Sequence, residues 1–192
     1  MFQANTADLD YLFNTEGQTV LINDIERQAI ITNPSISEYD QKYIHTLETV
    51  YMGDMVTLDN DKYLVITETV SKRGAKYKAL MRHCNFIIKI ENYEEVQTGE
   101  TPFGDPIYEN VLISTDYIPA IVDNKTFSID TMSAIRVADN QIVVVIQDNE
   151  LNLVKFAVNQ TFNVMDKSWK VLNHDKTKKG LLILTCEVAS ST

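Results

Sequence analysis

The sequence lacks the short motifs that mark the common enzyme families. Its 192 residues contain no Gly-x-x-x-x-Gly-Lys-Ser/Thr phosphate loop, no His-Glu-x-x-His zinc motif, no Gly-x-Ser-x-Gly elbow and no dinucleotide fingerprint. The chain is long enough to hold any of these motifs. We therefore expect a protein that is not an enzyme, has no catalytic residues and uses no cofactor.

Long apolar runs and excess positive charge are missing as well. The longest apolar run, residues 142–146, has the length of a strand, whereas a membrane-spanning helix needs about 20 residues. The first residues do not resemble a signal peptide. The net charge of −10 is opposite to that of most nucleic-acid-binding proteins. We expect a protein made in the cytoplasm, with no membrane partner and no specific binding of DNA.

Cysteine is scarce, which excludes a disulfide framework. We expect Cys84 and Cys186 to be small buried side chains. The other residues that could serve as metal ligands with them are His83, His174 and Asp175, of which only His83 is adjacent to a cysteine. However, neighbouring residues on a strand point to opposite faces, so His83 and Cys84 cannot hold the same ion. We therefore expect no metal site.

The residues that are abundant favour strands. Val, Ile, Thr and Tyr are frequent, and such side chains suit a pleated surface. We predict a mainly β fold with two small antiparallel barrel or sandwich units and a short N-terminal helix or arm. The predicted segments are an arm (1–17), a barrel-like domain (18–90), an acidic linker or assembly loop (91–116) and an immunoglobulin-like sandwich (117–192).

Local patterns predict individual elements. A helix is expected from Thr6 to Phe13, and Trp169 is expected in a core. Asn23-Asp24 predicts a tight hairpin turn. Two further hairpins are predicted, one turning at 147–150 between strands 141–146 and 151–158, the other turning at 165–167.

Two charge clusters are the candidate binding residues. A basic cluster surrounds one predicted strand, and Lys76, Lys78 and Arg82 have the same parity, so they should share a face. Such a face could bind an acidic partner or DNA phosphates. Alternatively, it is a solvated face, or a sheet edge whose lysines prevent aggregation. The members of the basic cluster are Lys72, Arg73, Lys76, Lys78 and Arg82. The acidic segment holds seven carboxylates and no Lys or Arg; they are Glu91, Glu94, Glu95, Glu100, Asp105, Glu109 and Asp116.

The residue order between 39 and 90 resembles that of small virion proteins of tailed bacteriophages that infect Gram-positive hosts. The family is that of head–tail connector or neck proteins, including head-closure-like proteins. The matching stretches are Tyr43-Ile44-His45-Thr46-Leu47, Gly53-Asp54, Tyr63-Leu64-Val65-Ile66, Tyr77-Lys78-Ala79-Leu80-Met81-Arg82-His83-Cys84-Asn85 and, near the end, Trp169-Lys170-Val171 with Gly180-Leu181-Leu182-Ile183-Leu184. The N-terminal arm and the acidic segment are not part of the resemblance.

The resemblance implies a structural virion protein that forms a ring at the head–tail junction, as a connector or stopper, and joins head to tail. Its partners would be further copies of itself and other phage neck, portal-adaptor or tail proteins. Genome DNA would pass through the ring without specific binding, and assembly would take place in the host cytoplasm. Lys76, Lys78 and Arg82 of one subunit would then face Glu94, Glu95 and Glu100 of the next.

Other functions remain open at this point. A tail terminator, another tail protein or a capsid decoration protein would have the same folds. In a different class, a small β-fold binding module or a hydrolase with an unrecognised site would have a similar composition.

Overall fold

The structure, a computed structural model, describes residues 6–36, 39–72, 76–124 and 140–189. Within these residues the chain is mainly antiparallel β, with a short N-terminal helix and two barrel-like sheets, as predicted. The elements are α1 (Thr6–Glu16), β1 (Gln18–Ile22), β2 (Ile25–Thr32), β3 (Gln41–Thr46), β4 (Met55–Leu58), β5 (Asp61–Val65), β6 (Val70–Lys72), β7 (Lys76–His83), β8 (Phe86–Glu100), β9 (Pro106–Asp123), β10 (Gln141–Gln147), α2 (Glu150–Lys155), β11 (Thr161–Val164), β12 (Lys167–Asp175) and β13 (Leu181–Val188).

The first sheet closes on itself. Its strand order is β3-β2-β1-β4-β5-β7-β6, and β3 also pairs with β7, so six strands form a closed barrel with β6 attached to β7. Closure removes free sheet edges, which would otherwise pair with other chains. The barrel encloses a core in which most side chains are alanine, valine or isoleucine. They are Val20, Ile22, Ala29, Ile44, Val50, Val56, Leu58, Tyr63, Val65, Ala79 and Met81.

The second sheet has the order β11-β12-β13-β10-β9-β8. Its inner face packs around Trp169, which is 3% exposed and whose indole Nε1 donates a hydrogen bond to the Val164 carbonyl at 3.0 Å. The indole hydrogen bond satisfies the one polar group of a large apolar side chain, which makes deep burial favourable. The prediction that Trp169 is a core residue is confirmed.

Two of the predicted hairpin turns are confirmed. Asn23 and Asp24, with φ of 49° and 65°, join β1 to β2, and Met165 and Asp166, with φ of 53° and 56°, join β11 to β12. Two successive residues with positive φ are typical of the two-residue turns whose twist matches that of antiparallel strands.

The third predicted hairpin, with its turn at 147–150, is wrong. Strand β10 pairs with β13 and β9, and the chain after the turn is the helix α2 instead of a strand. Asn149 is the helix N-cap, since its side chain accepts a hydrogen bond from the Asn152 amide at 2.8 Å. A short Asn-capped helix and a strand of the same length have similar apolar content, and tertiary packing decides between them.

The predicted linker or loop at 91–116 is also wrong in its secondary structure. These residues form the outer part of the β8–β9 hairpin, which we call the distal arm, with its tip at 101–105. The register shifts between Asn92 and Tyr93 and again between Gln97 and Gly99. Each shift interrupts the alternation of side chains, and both faces are exposed, so no regular apolar pattern marks the two strands.

A third apolar cluster joins the two barrels. It combines the outer face of β5 and its surroundings with the outer faces of β9, β10 and β13. Gly53 and Gly180, with φ of +92° and +87°, bring the two backbones into direct contact beside it. The two sheets therefore share a buried junction. The cluster consists of Leu64, Ile66, Cys84, Ile121, Val143, Val145, Leu181 and Ile183.

Candidate interaction surfaces

The distal arm exposes large apolar side chains, and its two tyrosines lie on the same face. Tyr93 lies opposite Leu112, and Gln97 lies opposite Tyr108, so these side chains point to the same side of the hairpin. Tyr93 is 56% exposed, Leu112 47% and Tyr108 57%, and Phe103 at the tip is 92% exposed. A two-stranded hairpin is marginally stable in water on its own. Apolar residues in such a place are typical of a surface that binds a partner.

The carboxylates of the distal arm differ in their surroundings. Glu91 accepts hydrogen bonds from the Lys89 ammonium and the Tyr93 hydroxyl, each at 2.6 Å. The Lys89 hydrogen bond, followed by that of Tyr93, lowers the pKa of Glu91. Asp116 accepts a hydrogen bond from Asn92 at 2.8 Å and lies 3.1 Å from the Lys155 ammonium, and these contacts lower the pKa of Asp116.

The other arm carboxylates stand alone. Across the parts of the chain that the structure describes, no cationic group lies within 4.0 Å of the five that remain, which leaves a concentration of unneutralised negative charge on the outer half of the arm. The predicted interface residues Glu94, Glu95 and Glu100 are all exposed there. The full set of five is Glu94, Glu95, Glu100, Asp105 and Glu109.

Arg82 does not belong to an exposed basic patch, which corrects the prediction that placed it beside Lys76 and Lys78. It is 5% exposed, and its guanidinium nitrogens lie 2.7 and 2.8 Å from the two carboxylate oxygens of Asp123. The Tyr39 ring stacks on it at 3.7 Å. This bidentate pair links β7 to the end of β9 across the junction. Asp123 is 41 residues away from Arg82 in the sequence, and no local pattern identifies the two residues as partners.

Lys76 and Lys78 lie on the outer face of the first barrel, half-buried. Lys78 extends over the Tyr43 ring, 3.5 Å from its centre. The register places Lys78 opposite both His45 and Val70, and His45 opposite Ile30. We call the surface formed by Ile30, Tyr43, His45, Val70, Lys76 and Lys78 the basic face. Of the basic cluster predicted from the sequence, Arg73 and the Lys72 side chain lie outside the described residues.

The histidines and cysteines considered as metal ligands are dispersed. Cys84 lies in the junction cluster and Cys186 in the core of the second barrel. His83 is 3.9 Å from Asp61, and His174 Nε2 is hydrogen-bonded to the Phe156 carbonyl at 2.6 Å. In residues 6–36, 39–72, 76–124 and 140–189 no group of three or more His, Cys, Asp or Glu side chains is arranged to hold a metal ion. Burial raises the pKa of each thiol to about 12.

A groove of about 630 Å³ opens beside the junction. Glu68, Asp148 and Lys179 are among its lining residues. The Thr69 hydroxyl, also in the groove, donates its hydrogen bond to the Val50 carbonyl. Asp148 is paired with Lys176 at 3.1 Å. The Thr69 hydroxyl and the Asp148 carboxylate are therefore already engaged in contacts within the protein.

The fold and these surfaces define a two-unit, mainly β protein with a projecting acidic hairpin. Neither helix of the described chain is long and apolar enough to cross a membrane. The chain belongs to the YomX family: the model of the YomX N-terminal domain matches residues 1–83, and that of the YomX C-terminal domain matches residues 83–187. This is a phage-type family, of the kind associated with SPbeta-like phages of Bacillus. Neither the curated proteins nor the solved structures include a significant match.

Proposed function

We propose that this protein is a non-enzymatic structural protein of the phage particle that forms a ring at the head–tail junction, as a connector or stopper, and joins head to tail. The observation that carries the proposal is the distal arm. It extends two exposed strands with aromatic and carboxylate side chains away from two well-packed barrels. Membership of a phage-type family supports a role in the particle.

An arm of this kind is suited to assembly. Its ten residues on β8, from 91 to 100, reach roughly 30 Å at about 3.3 Å per residue. Both of its faces and its apolar side chains are available, so a partner surface gains buried apolar area and two sheet edges to pair with. In this role the partners are other copies of the chain and the neighbouring neck, portal-adaptor or tail proteins.

The charge of the chain fits a ring through which DNA passes. The net charge of −10 disfavours binding to phosphates, because affinity for DNA depends on Lys and Arg contacts. A genome would cross such a ring without specific contacts. The protein would reside in the virion after assembly in the bacterial cytoplasm, with no membrane partner.

Disruption of the gene in the phage or prophage that encodes the chain tests this proposal. We expect filled heads and complete tails that are not joined, seen by negative-stain electron microscopy, and restoration of joined particles when the intact gene is supplied in trans. A matched control disrupts the gene and supplies a copy with a stop codon.

Labelling of intact particles with antibody fragments against this protein provides the second readout. Label at the neck agrees with the proposal. Label along the tail would instead indicate a tail terminator or another tail protein, and label over the capsid would indicate a capsid decoration protein. Joined, infectious particles in the absence of the gene would overturn it.

A further inference from the structure

We propose that the distal arm of one copy docks on the basic face of a second copy of this chain. The inference deepens the ring proposed above and rests on it. It identifies both contact surfaces: an acidic, aromatic hairpin on one subunit and an apolar, cationic barrel face on the next.

The arm contributes negative charge and aromatic area together. Glu95 lies opposite Asn110, between the pairs Tyr93–Leu112 and Gln97–Tyr108, so it shares their face. Glu95 has no cation within 4.0 Å among the residues that the structure describes. A partner for this face must therefore offer both apolar contacts and positive charge, because an apolar surface alone would leave the carboxylates desolvated and unpaired.

The basic face offers that combination. Across four strands, Val70, Lys78, His45 and Ile30 form one straight row of paired residues. The row holds two apolar side chains, a lysine and a histidine, and no carboxylate. Val70 is 54% exposed. Lys76 extends the positive charge along the same strand and has no ion-pair partner within residues 6–36, 39–72, 76–124 and 140–189.

Charge complementarity favours a second copy of the chain over pairing of two arms. Arms in contact would bring together carboxylates that have no neutralising cation, and like charges in opposite positions destabilise strand pairs. An arm against the basic face instead brings opposite charges together. Because each copy carries one arm and one face at different places, the contact is head-to-tail. Such a contact closes a ring when the rotation from one copy to the next divides a full turn.

A charge exchange tests the contact. The arm variant carries Glu95→Lys and Glu100→Lys, and the face variant carries Lys76→Glu and Lys78→Glu. Each should weaken self-association by about tenfold or more, because like charges then face each other. The protein with all four substitutions should regain most of its association. Analytical ultracentrifugation over a range of concentrations and salt measures it, and association of the wild type should weaken as salt rises.

Two matched controls distinguish a specific contact from a change of net charge. Asp10→Lys with Glu16→Lys reverses acidic residues on α1, and Lys167→Glu with Lys170→Glu reverses basic residues on β12. Both should associate as the wild type does. Thermal unfolding of every variant shows whether it is folded. Recovery of association in the variant with all four substitutions cannot come from misfolding.

The results separate this inference from the proposed function. A wild-type chain that stays monomeric at every concentration and salt would overturn docking on a second copy, and so would association that is unaffected by either charge reversal. An arm that binds another neck protein but not this chain would also overturn it. Location at the neck is tested by particle labelling and gene disruption, and that result stands whichever surface forms the contact.

Discussion

The two halves of the β8–β9 hairpin have the same strands and the same antiparallel pairing, yet they differ in what covers them. In the inner half, Ile88 pairs with Ile118, and they are 0% and 5% exposed. In the outer half, Tyr93 pairs with Leu112, and they are 56% and 47% exposed. Burial by the second barrel stabilises the inner half. The outer half has no such cover within the described chain and is therefore the part available for binding.

The largest difference should come from truncating one apolar side chain in each half. Ile88→Ala should lower the free energy of unfolding by about 4 kcal/mol, because it leaves a cavity in the core of the second barrel. Val96→Ala, in the distal arm, should change it by less than about 0.5 kcal/mol. Urea unfolding followed by circular dichroism measures both. Equal losses would mean that the arm is packed as firmly as the inner half.

The junction should be the next most sensitive region. Arg82→Met should cost about 3 kcal/mol, since it leaves the Asp123 carboxylate without its partner in a largely buried position. Adding Asp123→Leu should recover part of this loss by removing the unpaired charge. Lys76→Met, on the same strand but without an ion pair in the described chain, is the matched control and should be nearly neutral. The same urea unfolding experiment applies, and a neutral Arg82→Met would contradict a structural role for the pair.

Two glycines give a smaller contrast between the same regions. Gly53 has a φ of +92°, and a Cβ there would overlap the carbonyl oxygen of Gly180 across the junction. We expect Gly53→Ala to destabilise the protein by more than about 1 kcal/mol. At Gly99, in the arm, a Cβ would have no atom within 4 Å. The melting temperature of Gly99→Ala should therefore equal that of the wild type, and a comparable fall in both variants would refute the comparison.

The smallest effect should appear at alkaline pH. Burial raises the pKa of Cys84 and of Cys186 from 9.0 to about 12. Because the folded pKa is above the unfolded one, the stability that the thiols contribute is complete well below pH 9 and is lost as pH rises towards 12. The expected loss at about pH 9 is about 0.4 kcal/mol per thiol.

A comparison of urea unfolding at two pH values isolates this contribution. The double variant Cys84→Ala with Cys186→Ala should lose less stability between neutral and alkaline pH than the wild type does. The burial of Tyr63, whose pKa is also raised to about 12, is common to both proteins and cancels. An identical pH dependence in the two proteins would argue against burial of the thiols.

The amino-acid sequence by itself determined the fold class, two hairpin turns and part of the core. Residues such as Asn23, Asp24 and Trp169 act through local preferences, since the turn residues tolerate positive φ and a large aromatic side chain favours burial. The candidate site was predictable only in its composition. The acidic segment at 91–116 and the lysines Lys76 and Lys78 can be recognised in the sequence by their charge. The sequence does not show the strand pairing that decides which of these side chains share a face.

Tertiary structure decided the rest. It made Glu150–Lys155 a helix, turned the expected linker into an arm, and paired Arg82 with Asp123. In each case the deciding contact joins residues far apart in the chain, and its energy comes from desolvation and packing that no local pattern records. Which residues are exposed on the arm and which are buried at the junction therefore depends on the packing of the two barrels.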